Sequence, residues 1–266
     1  MNPRRTLPLL PLLLLAVLLL PALPLYAQDE MITDRPDQSE STAIVGRHVF
    51  QLETGIDFSR DESPFGNEEN LDLGGSLLRW GYSDRLELRF AFTAYSRSTF
   101  ETATFESRSS GLADPELGLK WRLRDGDGYS PALALLASTT LPVGDDELTS
   151  DEFDPTVRLA ADHDLSDTMG LGWNVGYSRE SDGAGGDQGY ALYSASLGVD
   201  IDDTWGVFYE LFGHVALDED EDNHSFDTGI TYMASDNFQV DIYAGVGING
   251  EAPDTFIGMG VSWRSN

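Results

Sequence analysis

Past its first few dozen residues the chain settles into short runs of alternating apolar and polar residues, and this period of two recurs to the C-terminus. Phe50, Leu52, Thr54, Ile56 and Phe58 alternate with Gln51, Glu53, Gly55, Asp57 and Ser59. Leu86, Leu88, Phe90 and Phe92 stand against Glu87, Arg89, Ala91 and Thr93. Leu117, Leu119, Trp121 and Leu123 stand against Glu116, Lys120, Arg122 and Arg124. Successive side chains of a strand point to opposite faces, so each run has one apolar face and one polar face. Alternation and turn punctuation predict about twelve strands. They lie near 48–60, 69–81, 85–97, 112–124, 131–141, 153–164, 169–180, 188–200, 204–216, 224–233, 237–248 and 255–264.

The connections fall into two kinds. Ser83-Asp84, Ser166-Asp167, Asp202-Asp203 and Ser235-Asp236 occupy tight turns with residues that turns favour, and Gly126-Asp127-Gly128 fills the remaining place in that series. The intervening connections, 61–68, 98–111, 143–152, 180–187 and 217–223, read as long and acidic. Alternation of the two kinds gathers short turns at one end and long loops at the other, as in outer-membrane barrels. Runs of about 10–13 residues suit a tilted strand that needs about 9–11 to cross hydrocarbon. Strands of soluble proteins are nearer 5–6 residues, by contrast. An open edge in lipid would strand backbone groups without partners, so the sheet must close. The predicted fold class is therefore all-β: a transmembrane antiparallel up-and-down β-barrel of about 12 strands. Its lumen is wider than a packed eight-stranded core and narrower than a porin channel.

The start of the chain sets the compartment. Arg4 and Arg5 precede the apolar stretch from Leu9 to Leu20, which small and helix-breaking residues follow up to Ala27. That order marks residues 1–27 as a secretory signal peptide, with 28–47 a periplasmic N-terminal segment and 48–266 the barrel. Pro8, Pro11, Pro21 and Pro24 argue against an uncleaved spanning helix. Cysteine is absent, which excludes disulfides and a lipid attached through Cys. A formal charge of −30 argues against nucleic acid as a partner and against a basic segment docking on anionic lipid.

The apolar face, exemplified by Phe238, Val240, Ile242, Ala244 and Val246, is assigned to lipid, where a charge near the midplane costs about 2–4 kcal/mol. The opposite face carries Asp57, Asp72, Arg124, Asp162, Asp227 and Asp241 besides the charges considered next. The candidate lumen and gating residues are Asp34, Arg35, Glu53, Glu87, Arg89, Glu116, Lys120, Arg122, Arg158 and Glu210. Thr33-Asp34-Arg35-Pro36 has two readings, a structural element pairing with lumen charges at the barrel base and a gate for solute. A polar N-terminal segment is ordinarily disordered, which favours the structural reading. His48, His163, His214 and His224 lie on separate segments without ligand spacing, so neither a metal nor a cofactor is expected. No nucleophile is marked beside His163 or His214, and no catalytic residue is assigned. The acidic runs Asp145-Asp146-Glu147 and Asp218 to Asp222 lack the spaced ligands of a calcium loop and read as solvated outer loops.

Ile32-Thr33-Asp34-Arg35-Pro36-Asp37-Gln38-Ser39-Glu40-Ser41, followed by Phe50-Gln51-Leu52-Glu53-Thr54-Gly55, resembles the start of the outer-membrane transporter proteins of the MetA-pathway phenol-degradation family. The stretches Leu78 to Arg89, Gly111 to Lys120, Leu141 to Asp145 and Gly245 to Asn249 extend the resemblance over nearly all of the mature chain. It implies a barrel of the Gram-negative outer membrane that transports aromatic or other hydrophobic compounds. Its partners would be outer-membrane lipid and lipopolysaccharide, the barrel-assembly machinery and a small-molecule solute. Barrels of this class end on an aromatic residue, whereas this chain runs past Trp263 to Arg264-Ser265-Asn266. Either Trp263 serves as that signal or the signal is weak. Beside a channel stand two alternatives, a lipid-acting enzyme using a His and a Ser, and a non-conducting barrel that works through its acidic loops.

Overall fold

A computed structural model describes residues 31–127, 130–181, 186–217 and 222–265. The signal peptide, Gly128 and residues 218–221 of the longest acidic run lie outside the described residues. The strands are β1 (Phe50–Ser63), β2 (Gly66–Ser83), β3 (Leu86–Glu101), β4 (Glu106–Gly111), β5 (Glu116–Arg124), β6 (Ala132–Thr140) and β7 (Pro155–Ser166). They continue with β8 (Met169–Ser181), β9 (Asp187–Asp200), β10 (Trp205–Ala216), β11 (Asn223–Ser235), β12 (Phe238–Gly247) and β13 (Thr255–Arg264). Neighbours in sequence are antiparallel neighbours in the sheet, and β1 pairs with β13 from Gln51↔Arg264 to Arg60↔Thr255. With β2 also paired to β3, the sheet closes into an up-and-down barrel.

It has twelve strand positions, because β4 and β5 share one. Both lie against β3, β4 along Ser96–Glu101 and β5 along Leu86–Ala91. Leu112–Pro115 separates them, and the ladder breaks at Pro115, which has no N–H to donate. The β6–β7 connection folds back onto this break. The Asp114 carboxylate accepts from the Val143 and Gly144 amides at 2.9 and 2.7 Å, the Thr149 hydroxyl at 2.9 Å and the Ser150 amide at 3.2 Å. Asp145 in turn accepts the Leu112 amide at 2.8 Å.

Two stretches expected as loops, 61–68 and 98–111, are largely strand. The β1–β2 hairpin runs to Ser63 and Gly66, and β3 runs on to Glu101 to pair with β4. Their residues turn acidic where the strands leave the hydrocarbon, but the backbone ladder continues, since it depends on pairing and not on an apolar face.

Sidedness follows the alternation. Leu117, Leu119, Trp121, Val240, Ile242 and Val246 are exposed on the outer surface, while the largest fully buried side chains are Arg79, Lys120, Gln51, Glu53, Glu87 and Glu210. The interior is polar and the exterior apolar, the arrangement a lipid-embedded barrel requires. Near the short turns, Phe50 stacks on Trp80 with centroids 5.9 Å apart, and Trp205 packs on Tyr232 at 4.5 Å. Amphipathic rings of this kind form the girdle at a membrane interface.

Candidate functional site

Residues 31–42 cross the lumen and bond to wall strands on every side. The segment has short polar side chains and no apolar period, so its hydrogen bonds are made with itself and with the wall. The Thr33 hydroxyl donates to the Arg35 carbonyl at 2.6 Å, and the Ser41 amide and hydroxyl donate to Asp34 at 3.1 and 2.8 Å. These bonds shape a compact loop centred on Asp34.

One side of the wall is cationic. Asp34 lies 3.2 Å from Arg79 on β2, 2.6 Å from Arg89 on β3 and 2.8 Å from Lys120 on β5. Arg79, with no exposed surface, also pairs with Glu53 and Glu87 at 2.9 Å each. Glu53 accepts the Asp34 and Arg35 amides at 2.9 Å, and Arg89 clasps Glu40 through both carboxylate oxygens. The other side is acidic. Arg35 reaches Asp241 on β12 at 3.1 Å and approaches Asp57 at 4.0 Å. Its guanidinium lies flat against Gly55 and Gly260, where a methyl at either position would overlap it. Glu210 on β10 accepts the Gln38 amide at 2.7 Å and the Ser39 hydroxyl at 2.6 Å. Between these poles Asn174 exchanges two bonds with the Glu40 backbone, and Asp162 accepts the Thr42 amide and hydroxyl at 2.7 Å.

The two flanking aspartates of the segment titrate in opposite directions. Burial alone would raise the Asp34 carboxyl, but Arg79, Lys120 and Arg89 outweigh it and hold the group well below the usual carboxylate range. Burial pushes Asp37 well above that range, and the neighbouring charge of Glu210 adds to the effect.

Of the ten candidate lumen residues, Asp34, Arg35, Glu53, Glu87, Arg89, Lys120 and Glu210 meet in this network. Glu116 and Arg158 line a small cavity of about 110 Å³ beside it, together with Glu40 and Arg89. Arg122 stands apart at the short-turn end, 2.8 Å from Asp125. Sequence reasoning missed the charged wall residue Arg79, along with Asp37, Gln38, Ser39, Glu40 and Asn174. Arg79 is the polar position between Leu78 and Trp80, directly opposite Gln51, so the alternation alone places it inward. The two histidines weighed for catalysis are otherwise engaged. His163 accepts the Trp173 indole N–H at 3.2 Å, and His214 packs edge-on against Tyr190 at 4.6 Å.

On the long-loop side of the segment the lumen widens into two cavities that share Gln38, Phe212 and Asn223. One, of about 260 Å³, is bounded by Asp57, Asp72, Tyr243 and Phe256, and the other, of about 210 Å³, by Arg158, Asn174, Leu192 and His214.

Fold and lumen together define a membrane β-barrel of the outer-membrane type whose lumen is crossed by its own N-terminal segment. The chain belongs to the family described as "Putative MetA-pathway of phenol degradation", whose model matches residues 33–265. Among solved structures it is similar to the COG4313 outer membrane channel from Pseudomonas putida F1, with a TM-score of 0.69 and 13% identity. That likeness covers 88% of this chain and 100% of the other. The KdgM porin (TM-score 0.53, 9% identity) and the NanC porin (TM-score 0.52, 10% identity) are more distant, each covering 80% of this chain and 98% of its own. No curated protein sequence matches the chain. At these identities the likeness is one of fold.

Proposed function

We propose that the chain is an outer-membrane channel for small solutes with an apolar or aromatic part, closed at rest by residues 31–42. The observation that carries this reading is the chemistry of the stopper. From Asp34 to Thr42 the wall holds it through hydrogen bonds and ion pairs, which water can replace. An apolar plug would instead behave as a permanent core. The cavities beyond it combine aromatic and polar walls, the mixture that small-molecule sites use. In this reading lipid surrounds the apolar band, lipopolysaccharide meets the acidic loops through divalent ions, and the barrel-assembly machinery inserts the protein after export.

Planar-bilayer recording on purified protein tests the proposal. The full chain should show low conductance, and a variant lacking residues 31–42 should conduct several-fold more. Liposomes carrying that variant should also swell in a small aromatic solute. A variant that keeps the heat-modifiable gel shift of a folded barrel yet conducts nothing would end the channel reading.

A further inference from the structure

The larger cavity, about 260 Å³, is chemically one-sided. Its aromatic wall is Phe212 and Phe256, edge to face at 5.9 Å, with Tyr243 6.3 Å from Phe256. Its charged groups are the carboxylates of Asp57 and Asp72, and the described lining contains no Lys, Arg or His. Asp57 accepts the Tyr243 hydroxyl, and Arg35 reaches it from the stopper side at only 4.0 Å. Asp72 accepts the Ser96 hydroxyl at 2.6 Å. Asp227, two residues along β11 from the lining Ser225, is wholly buried beside Glu210. It packs beside Phe256, since a side chain at Gly245 would meet both. The Asp57 and Asp72 carboxylates face one guanidinium, Arg35, 4.0 Å from Asp57, and they lie next to π-faces that attract cations.

We infer that this cavity binds an organic cation: a protonated amine carried on a flat apolar body. The ammonium would lie between the Asp57 and Asp72 carboxylates and the face of Tyr243 or Phe256, with the apolar part against Phe212. A neutral aromatic leaves the carboxylates without a counter-charge, and an aromatic carboxylate meets like charge. The assignment rests on the channel reading and sharpens it to one class of solute.

Calorimetric titration of the detergent-solubilised full chain with 2-phenylethylammonium, 2-phenylethanol and 3-phenylpropionate tests it. The ammonium should bind about tenfold more tightly than the alcohol, the size of a desolvated cation–π contact, and the carboxylate most weakly. In Asp57→Asn/Asp72→Asn, verified as folded by its gel shift, that preference should collapse toward parity. Equal or tighter binding of the alcohol, or a preference that survives the double substitution, would overturn the assignment. The two proposals fail separately. Amine preference in a protein that stays impermeable without its stopper keeps the site and removes the channel, and conduction without amine preference does the reverse.

Discussion

At the residue scale, adjacent opposite charges hold the N-terminal segment in the lumen. Asp34 and Arg35 are neighbours in sequence, yet one faces the cations of β2, β3 and β5 and the other Asp241 of β12 and Asp57 of β1. Arg79 is the member whose loss should cost most. Arg79→Met leaves Asp34, Glu53 and Glu87 buried around a missing charge, and breaking such a cluster costs about 3–5 kcal/mol. The expected outcome is a lower urea midpoint for unfolding in lipid vesicles, together with raised conductance. The two aspartates then give closure a pH window. The depressed Asp34 stabilises the seated stopper above the ordinary aspartate value of 3.8, and that contribution is lost as pH falls through its lower seated value. The raised Asp37 works the other way. Its contribution is full below 3.8 and is lost as pH rises toward its elevated seated value. The open fraction of single-channel recordings should therefore rise with pH above that point, and Asp37→Asn should flatten this alkaline limb while leaving the acid limb in place.

At the element scale, β4 and β5, which follow one another along β3, show how a barrel tolerates a broken strand. The four bonds accepted by Asp114 tie the β6–β7 connection over the break. Asp114→Ala should expose that connection to protease, with cleavage near residues 143–150, while the barrel keeps its gel shift. Conversely, Leu119→Arg on the lipid face should cost about 2–4 kcal/mol in a folding titration, whereas the same change at an outer-loop position should cost nothing measurable. The strands and their faces were legible in the sequence because period two is a property of each strand alone. Phe50, Leu52 and Ile56 announce an outer face without reference to any neighbour. The interruption at Leu112–Pro115 and the strand character of 98–111 were not legible, because pairing with β3 decides them. The same division holds in the lumen. The charges of Asp34 and Arg35 could be assigned inward, but their partners come from strands up to 206 residues away, and no local pattern encodes that matching.

For the whole molecule, the interior is the polar phase and the exterior the apolar one. That inversion explains a mean hydropathy of −0.25 in a chain that spans a membrane. With cysteine absent, cohesion falls to the closed ladder of backbone bonds and to the ion-paired lumen. The inward face of the wall keeps more acids than bases, and Asp241 and Asp57 find their cation, Arg35, in the N-terminal segment rather than in the wall. A variant lacking residues 31–42 should accordingly be cation-selective, which the sign of the reversal potential in a salt gradient will read. The stopper also has an anchorage. Between Thr42 and β1 the chain is fastened to β2, where the His48 amide donates to the Gly81 carbonyl at 2.7 Å and the Gly81 amide to the Val49 carbonyl at 3.1 Å. A released stopper stays on a leash of a few residues, so it competes for its seat at an effective concentration in the millimolar range. Reclosure is then a first-order event independent of protein concentration. Current through such a pore should come as brief flickers whose duty cycle measures the seating equilibrium.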